Sequence, residues 1–303
     1  MIRSLTVLTA ALRGGGEPCA RVRLAGADAL VARPRRGSGP VVVYANAATP
    51  NGIDEPAVGR FLGGLAAAGF VAVAPELPCV RRGEVTPATI DAFVSVAGAS
   101  GRHVALIGAS TGAGLALLAA SDPRIADRVS AVTAIAPFAS LRNILRLGTT
   151  GVYGGQPFDA APLVATAAAR SLAASAPDDP AVPALLANRD PGRFDVLYDN
   201  LAPSTRCLVD ELSPLSRIGA VRAPIELASS PDDTFFPVQE SLALERAGND
   251  VRLTVTPALV HVCPRVRPGL VHIARVLDRT LHRAIAAEWS DRRLAFRLSP
   301  DAA

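Results

Sequence analysis

Short apolar runs alternate with stretches of helical character along most of the chain. The runs are continuous rather than alternating apolar and polar, which is typical of strands buried on both faces of a parallel sheet. After an opening hairpin over residues 20–24 and 28–32, strands are predicted over residues 40–44, 69–75, 104–107, 129–137, 223–229 and 251–256. Helices are predicted over residues 56–68, 87–98, 114–120, 238–247 and 268–289. This order predicts an α/β fold with a mostly parallel central sheet and helices on both of its faces.

The alternation stops between residues 138 and 222. This segment is rich in Ala and Leu, is interrupted by several Gly and Pro residues, and contains no convincing strand. It predicts a helical cap inserted into the fold, so that residues 1–137 and 223–303 form the core and residues 138–222 form the cap.

A pattern of two glycines around a serine follows the strand at residues 104–107. Gly108, Ser110 and Gly112 form G-x-S-x-G, and a helix of small residues comes directly after them. A serine at the tip of such a strand-to-helix turn needs a glycine on each side, because the helix returns close to the strand. The context favours a nucleophile elbow, with Ser110 as the nucleophile, over an ordinary structural turn.

A nucleophilic serine needs a base and an acid, which in this architecture follow it in the order acid, then histidine, at later strand ends. The acid candidates are the neighbours Asp232 and Asp233, after the strand at residues 223–229. His261 follows the last strand and is the predicted base. The other histidines are His103, before the elbow strand, and His272 and His282, inside the last helix.

The negative charge that develops during acyl transfer requires hydrogen-bond donors. The backbone N–H of Thr111, the residue after the nucleophile, is one predicted donor of an oxyanion hole. The second is expected in the loop after residue 44, with Ala47 as the best candidate.

The serine, acid and histidine positions, GASTG, SPDDTFFP and a late His in that order, resemble the α/β-hydrolase superfamily over nearly the whole chain outside the cap. Members commonly place the acid four residues before a proline, which implies Asp233 rather than Asp232 here, since Pro237 follows. The chain departs from the family at Ala45-Asn46, where many members have His-Gly.

The amino-acid composition limits which partners, cofactors and cellular location are expected. All 31 basic residues are Arg, and the net charge of +4 is modest for 303 residues. Eight Arg between Arg265 and Arg297 are interpreted as the solvated face of the last helix, so no nucleic-acid partner is expected. The four cysteines are scattered, which suggests neither a zinc site nor a disulfide framework. We expect a cytoplasmic protein with no stable membrane insertion, and no metal or organic cofactor.

The sequence therefore predicts a serine hydrolase that cleaves a carboxylic ester or related acyl compound through an acyl-enzyme. Two alternatives stay open: an acyltransferase or perhydrolase with the same triad, and a non-catalytic protein of this fold that binds a ligand. A partly apolar small-molecule substrate is expected from the cap aromatics Tyr153, Phe158, Phe194 and Tyr198, although packing within the cap would explain these residues equally well.

Overall fold

A computed structural model describes the chain from residue 1 to residue 297, with side chains to residue 290, so the last six residues of the predicted 223–303 segment lie outside it. Its centre is a sheet of eight strands: β1 (Cys19–Leu24), β2 (Ala27–Ala32), β3 (Val41–Ala45), β4 (Val71–Pro75), β5 (Val104–Ala109), β6 (Val129–Ile135), β7 (Ile225–Ser229) and β8 (Val251–Val255). Their order across the sheet is β1-β2-β4-β3-β5-β6-β7-β8.

The pairs that involve β2 are antiparallel, and the other pairs of this sheet are parallel. Each predicted strand is present, with its ends within two residues of the expected positions. The residues of β4 and β5 are all buried, which explains their continuous apolar sequences. The prediction of a mostly parallel sheet is confirmed.

Helices cover both faces of the sheet. They are α1 (Ile2–Arg13), α2 (Pro56–Ala67), α3 (Pro78–Arg81), α4 (Pro87–Ser100), α5 (Thr111–Ala120), α6 (Leu141–Thr150), α7 (Pro162–Ser175), α8 (Val182–Ala187), α9 (Phe194–Asp199), α10 (Pro203–Glu211), α11 (Pro214–Arg217), α12 (Val238–Ala247) and α13 (Leu270–Arg297). One hydrophobic cluster joins the sheet to α4, α5 and the helices between β6 and β7, and a second joins it to α1, α2 and α13.

Helix α1 was not predicted from the sequence. Val7 and Leu8 bury its inner face in the second cluster, and its backbone lies close to α2 at Gly64. The amino group of Met1 pairs with Asp278 of α13. This first helix is therefore an integral layer of the fold.

The segment between β6 and β7 contains helices α6 to α11, as expected for the predicted cap. It also contains a two-stranded hairpin, Val152–Tyr153 paired with Gln156–Pro157, so the prediction of no strand there was wrong. Gly154 and Gly155 both have positive φ angles, which permits the tight turn between strands too short to show a sequence pattern. The division into core and cap stays a prediction.

None of the helices within residues 1–297 has the length and apolar character that crossing a bilayer requires. The cytoplasmic location stays a prediction.

Candidate active site

Ser110 lies at the turn between β5 and α5 in a conformation that is rare for a residue with a side chain, with φ 53° and ψ −122°. Close contacts require glycine two residues before and two residues after Ser110. A Cβ at Gly108 would lie 2.6 Å from the Cα of Ala113, and one at Gly112 would overlap the carbonyl oxygen of Ala45. The backbone N–H of Ser110 donates to the carbonyl of Ile135 at 2.8 Å, which ties the turn to β6.

Three side chains from separate parts of the chain form one hydrogen-bonded row. The Nε2 atom of His261 lies 2.7 Å from the Oγ of Ser110. The Nδ1 atom lies 2.9 Å from Oδ2 of Asp233 and 3.1 Å from Oδ1. With its proton on Nδ1, the imidazole donates to Asp233 and presents the Nε2 lone pair to the serine hydroxyl.

The turn after β7 places Asp233, and not its neighbour, toward the histidine. Asp233 is buried, and its Oδ1 accepts the backbone N–H groups of Phe235 at 2.8 Å and Phe236 at 3.2 Å. These donors fix the carboxylate and stabilise its negative charge. Asp232 is exposed, and its backbone N–H donates to the hydroxyl of Ser230.

His261 occupies the turn of a short hairpin formed by Leu259–Val260 and Cys263–Pro264, with φ 52°. Its ring stacks on Phe235, with 4.2 Å between centroids and 19° between planes. Phe236 approaches the same ring edge-on at 5.9 Å. The two phenyl rings and Asp233 therefore restrict the orientation of the imidazole.

The residues predicted for the oxyanion hole border the elbow. Thr111 is the first residue of α5, where backbone N–H groups have no acceptor within the helix. The loop that contains Ala47 follows β3, and the carbonyl groups of Ala45, the last residue of β3, and of Asn46 lie against Gly112. The side-chain amide of Asn46 donates to the carbonyl of Gly52 at 2.8 Å and holds this loop. The donor roles of Thr111 and Ala47 stay predictions.

A cavity of about 40 Å³ opens beside Ser110. Its walls are mainly apolar side chains from the start of the insertion, from α6 and α7, and from the turn after Asp233. Within the described chain, the four cap aromatics that suggested an apolar substrate are not among the residues that line it. Phe194 and Tyr198 instead pack beneath the guanidinium groups of Arg146 and Arg142.

Sequence reasoning missed Glu240, a fully buried residue in the first turn of α12. Its Oε2 accepts the backbone N–H groups of Ala139 at 2.6 Å and Ser140 at 2.9 Å, and its Oε1 accepts from Asn143 and from the hydroxyl of Tyr153. Burial and this carboxylate raise the pKa of Tyr153, so the hydroxyl stays a donor. Glu240 thus anchors the beginning of the insertion to the helix that follows the Asp233 turn.

A second buried carboxylate corrects the interpretation of the last helix. Glu226 of β7 is fully buried and pairs with Arg279 through two hydrogen bonds of 2.7 and 2.6 Å, with Arg283 at 3.4 Å. Arg279 and Arg283 therefore face the sheet rather than forming part of a purely solvated face. The side chains of Arg292, Arg293 and Arg297, which belong to the same predicted set, lie outside the described residues.

The remaining histidines are not among the described residues that line the cavity beside Ser110. His103 precedes β5 at the end of the strand opposite Ser110. His272 and His282 lie in α13, where Nδ1 of His282 is 2.7 Å from the carbonyl oxygen of Asp278 one turn earlier.

No family model matches the chain, and no curated protein matches it significantly. The chain is, however, similar in structure to several solved proteins. A hormone-sensitive lipase from a metagenome library superposes with a TM-score of 0.60 at 13% identity over 93% of this chain and 92% of that one. An esterase/lipase from an uncultured bacterium gives 0.59 at 17% identity, over 93% and 90%.

The acylaminoacyl peptidase of Pyrococcus horikoshii gives a TM-score of 0.53 at 13% identity over 93% of this chain. The chain spans only 41% of the length of that peptidase. Such similarities establish architecture: the chain has the α/β-hydrolase fold that its sequence motifs resemble.

Proposed function

We propose that this protein is a serine hydrolase that cleaves a carboxylic ester or a related acyl compound. The observation that carries the proposal is the continuous hydrogen-bonded row from Ser110 through His261 to Asp233, beside an apolar cavity. Structural neighbours described as an esterase/lipase and as a hormone-sensitive lipase support the same class of reaction.

In the proposed mechanism, Oγ of Ser110 attacks the substrate carbonyl carbon while Nε2 of His261 takes the hydroxyl proton. Asp233 holds the imidazole and stabilises its positive charge. The backbone N–H groups of Thr111 and Ala47 donate to the oxyanion of the tetrahedral intermediate. The intermediate collapses, the alcohol leaves with the proton from His261, and an acyl-serine ester forms.

A water molecule then attacks the acyl-serine carbonyl and gives its proton to Nε2 of His261. The second tetrahedral intermediate releases the carboxylic acid as the proton returns to Oγ of Ser110. The groups assigned to these steps are side chains and backbone amides of this chain together with water.

The test replaces the nucleophile alone. Ser110→Ala should lower turnover of a p-nitrophenyl ester by roughly three orders of magnitude or more, because the covalent step is lost. A fluorophosphonate probe should add one phosphonyl group to the wild-type protein at Ser110, located by peptide mass spectrometry, and none to the variant. Unchanged turnover in the purified variant, or a folded wild-type protein that takes no label, would refute the proposal.

A further inference from the structure

The cavity beside Ser110 has a defined direction along α7. Residues of one face of this helix line it, from Leu163 near the start of the helix to Ser171 near its end. Leu163 is 39% exposed, whereas Ser171 is 2% exposed. The cavity therefore meets solvent near the start of α7 and is closed near Ser171.

The closed end offers no hydrogen bond from its one hydroxyl. Oγ of Ser171 donates to the carbonyl of Ala167 at 2.8 Å and accepts the backbone N–H of Val85 at 3.0 Å. Its proton is therefore already used within the protein. The described residues that line the cavity include none with a charge, so a charged group placed there would lose its hydration without a partner.

The walls are held close to each other by backbone contacts. A Cβ at Gly148 of α6 would lie 2.7 Å from the Cα of Ala165 in α7, so these two helices are packed nearly backbone to backbone. Gly83, with φ +79°, lies against Ala167, where an added Cβ would come within 2.6 Å of the alanine methyl group. Widening the cavity would require separating elements that are already in contact.

The volume sets the size of the group that fits. A cavity of about 10–15 Å³ holds one water molecule, and this cavity measures about 40 Å³. It has room for about three methyl or methylene groups beyond a carbonyl carbon at Ser110. A long alkyl chain or an aromatic ring exceeds this volume and would overlap the side chains that line the cavity, among them Phe138 and Ile144.

From this fit we propose that the enzyme selects short, uncharged acyl groups, with butanoyl as the best match. The inference rests on the proposed serine hydrolase function and adds the acyl class to it. Ile144 and Ala168, which both line the cavity, set the length limit. Ile144→Ala removes three carbons from the wall, and Ala168→Leu adds three carbons to it.

The kinetic test uses p-nitrophenyl esters from acetate to dodecanoate. For the wild-type enzyme, kcat/KM should peak at butanoate and fall at least tenfold by octanoate. Ile144→Ala should move the peak to hexanoate or longer, and Ala168→Leu should lower the butanoate-to-acetate ratio by about tenfold, since each methylene contributes about 0.8 kcal/mol. Leu208→Ala, on α10 and away from the cavity, is the matched control and should keep the wild-type profile.

A binding measurement keeps the size limit separate from the chemistry. In the Ser110→Ala variant, calorimetry with straight-chain primary amides should show the tightest binding for butanamide and weaker binding for octanamide. A wild-type protein that is labelled by fluorophosphonate but prefers octanoate would overturn the acyl class and leave the hydrolase proposal standing. A protein that hydrolyses no ester would overturn the hydrolase proposal. The amide series would then test the size limit of the cavity without catalysis, and tightest binding of octanamide would refute that limit.

Discussion

The imidazole of His261 lies face to face with the phenyl ring of Phe235, with 4.2 Å between their centroids. The backbone N–H of the same phenylalanine donates to Oδ1 of Asp233. One residue of the turn after β7 therefore orients both members of the pair that would activate Ser110. The geometry of this one turn therefore determines which of the two adjacent aspartates faces His261.

Asp233→Asn should lower kcat for a p-nitrophenyl ester by roughly a thousandfold or more, because an amide at this position donates to Nδ1 and favours the wrong imidazole tautomer. Steady-state kinetics at neutral pH measure this effect. Asp232→Asn is the matched control, and its kcat should stay within about twofold of the wild-type value because the side chain is exposed. Equal losses in the two variants would contradict the assignment of Asp233.

Gly112→Ala should destabilise the protein by about 1–3 kcal/mol or more, because the added methyl group overlaps the carbonyl of Ala45. Urea denaturation followed by circular dichroism measures the loss. Gly219→Ala serves as the control, since an added Cβ there meets open space, and its free energy of unfolding should change by less than about 0.5 kcal/mol. A stable Gly112→Ala protein would show that the end of β3 can move to make room for the methyl group.

Glu240→Gln should lower the free energy of unfolding by about 2–4 kcal/mol, because one of its carboxylate oxygens becomes an amide that cannot accept and the buried donors around it lose a charged partner. Thermal and urea denaturation should both report the loss. Gln239→Ala, at the exposed neighbouring position, should leave stability close to wild type. If Glu240→Gln were as stable as wild type, Glu240 would not anchor the insertion.

Arg279→Ala should cost about 2–4 kcal/mol of unfolding free energy, since it leaves the fully buried carboxylate of Glu226 without its main partner. The exposed Arg275 of the same helix provides the control, and Arg275→Ala should change stability by less than about 0.5 kcal/mol. Similar effects of the two substitutions would favour the interpretation of α13 as a simple solvated face.

Features that depend on local sterics could be predicted from the sequence. Gly108 is required by its close approach to Ala113, five residues later, and continuous apolar runs locate buried strands such as β5. The same holds for the turn from Asp233 to Pro237, whose two backbone hydrogen bonds to the carboxylate span two and three residues. The close approach of Gly112 is to Ala45 of the neighbouring strand, so this glycine follows from the motif and not from a local contact.

Features that depend on residues distant in the sequence could not be predicted. Glu240 lies about 100 positions along the chain from the amides it accepts, and an acid in the first turn of a helix is ordinarily explained by the helix dipole. Tyr153 suggested a substrate contact, yet its hydroxyl bonds to Glu240. The strands of its hairpin are two residues long, too short to produce a periodic pattern.

The buried carboxylate of Glu240 also bears on how a molecule could reach Ser110. The backbone N–H groups of Ala139 and Ser140 donate to this carboxylate. A hinge motion at the start of the segment after β6 would therefore have to break hydrogen bonds to a buried charge. Just before α7, the backbone N–H of Ala161 donates to the carbonyl of Thr234 at 2.8 Å, which links this helix to the turn after β7 by a neutral hydrogen bond. Breaking this neutral hydrogen bond costs less than removing a donor from the buried carboxylate of Glu240, so the beginning of the segment after β6 is held more firmly than the start of α7 by these bonds.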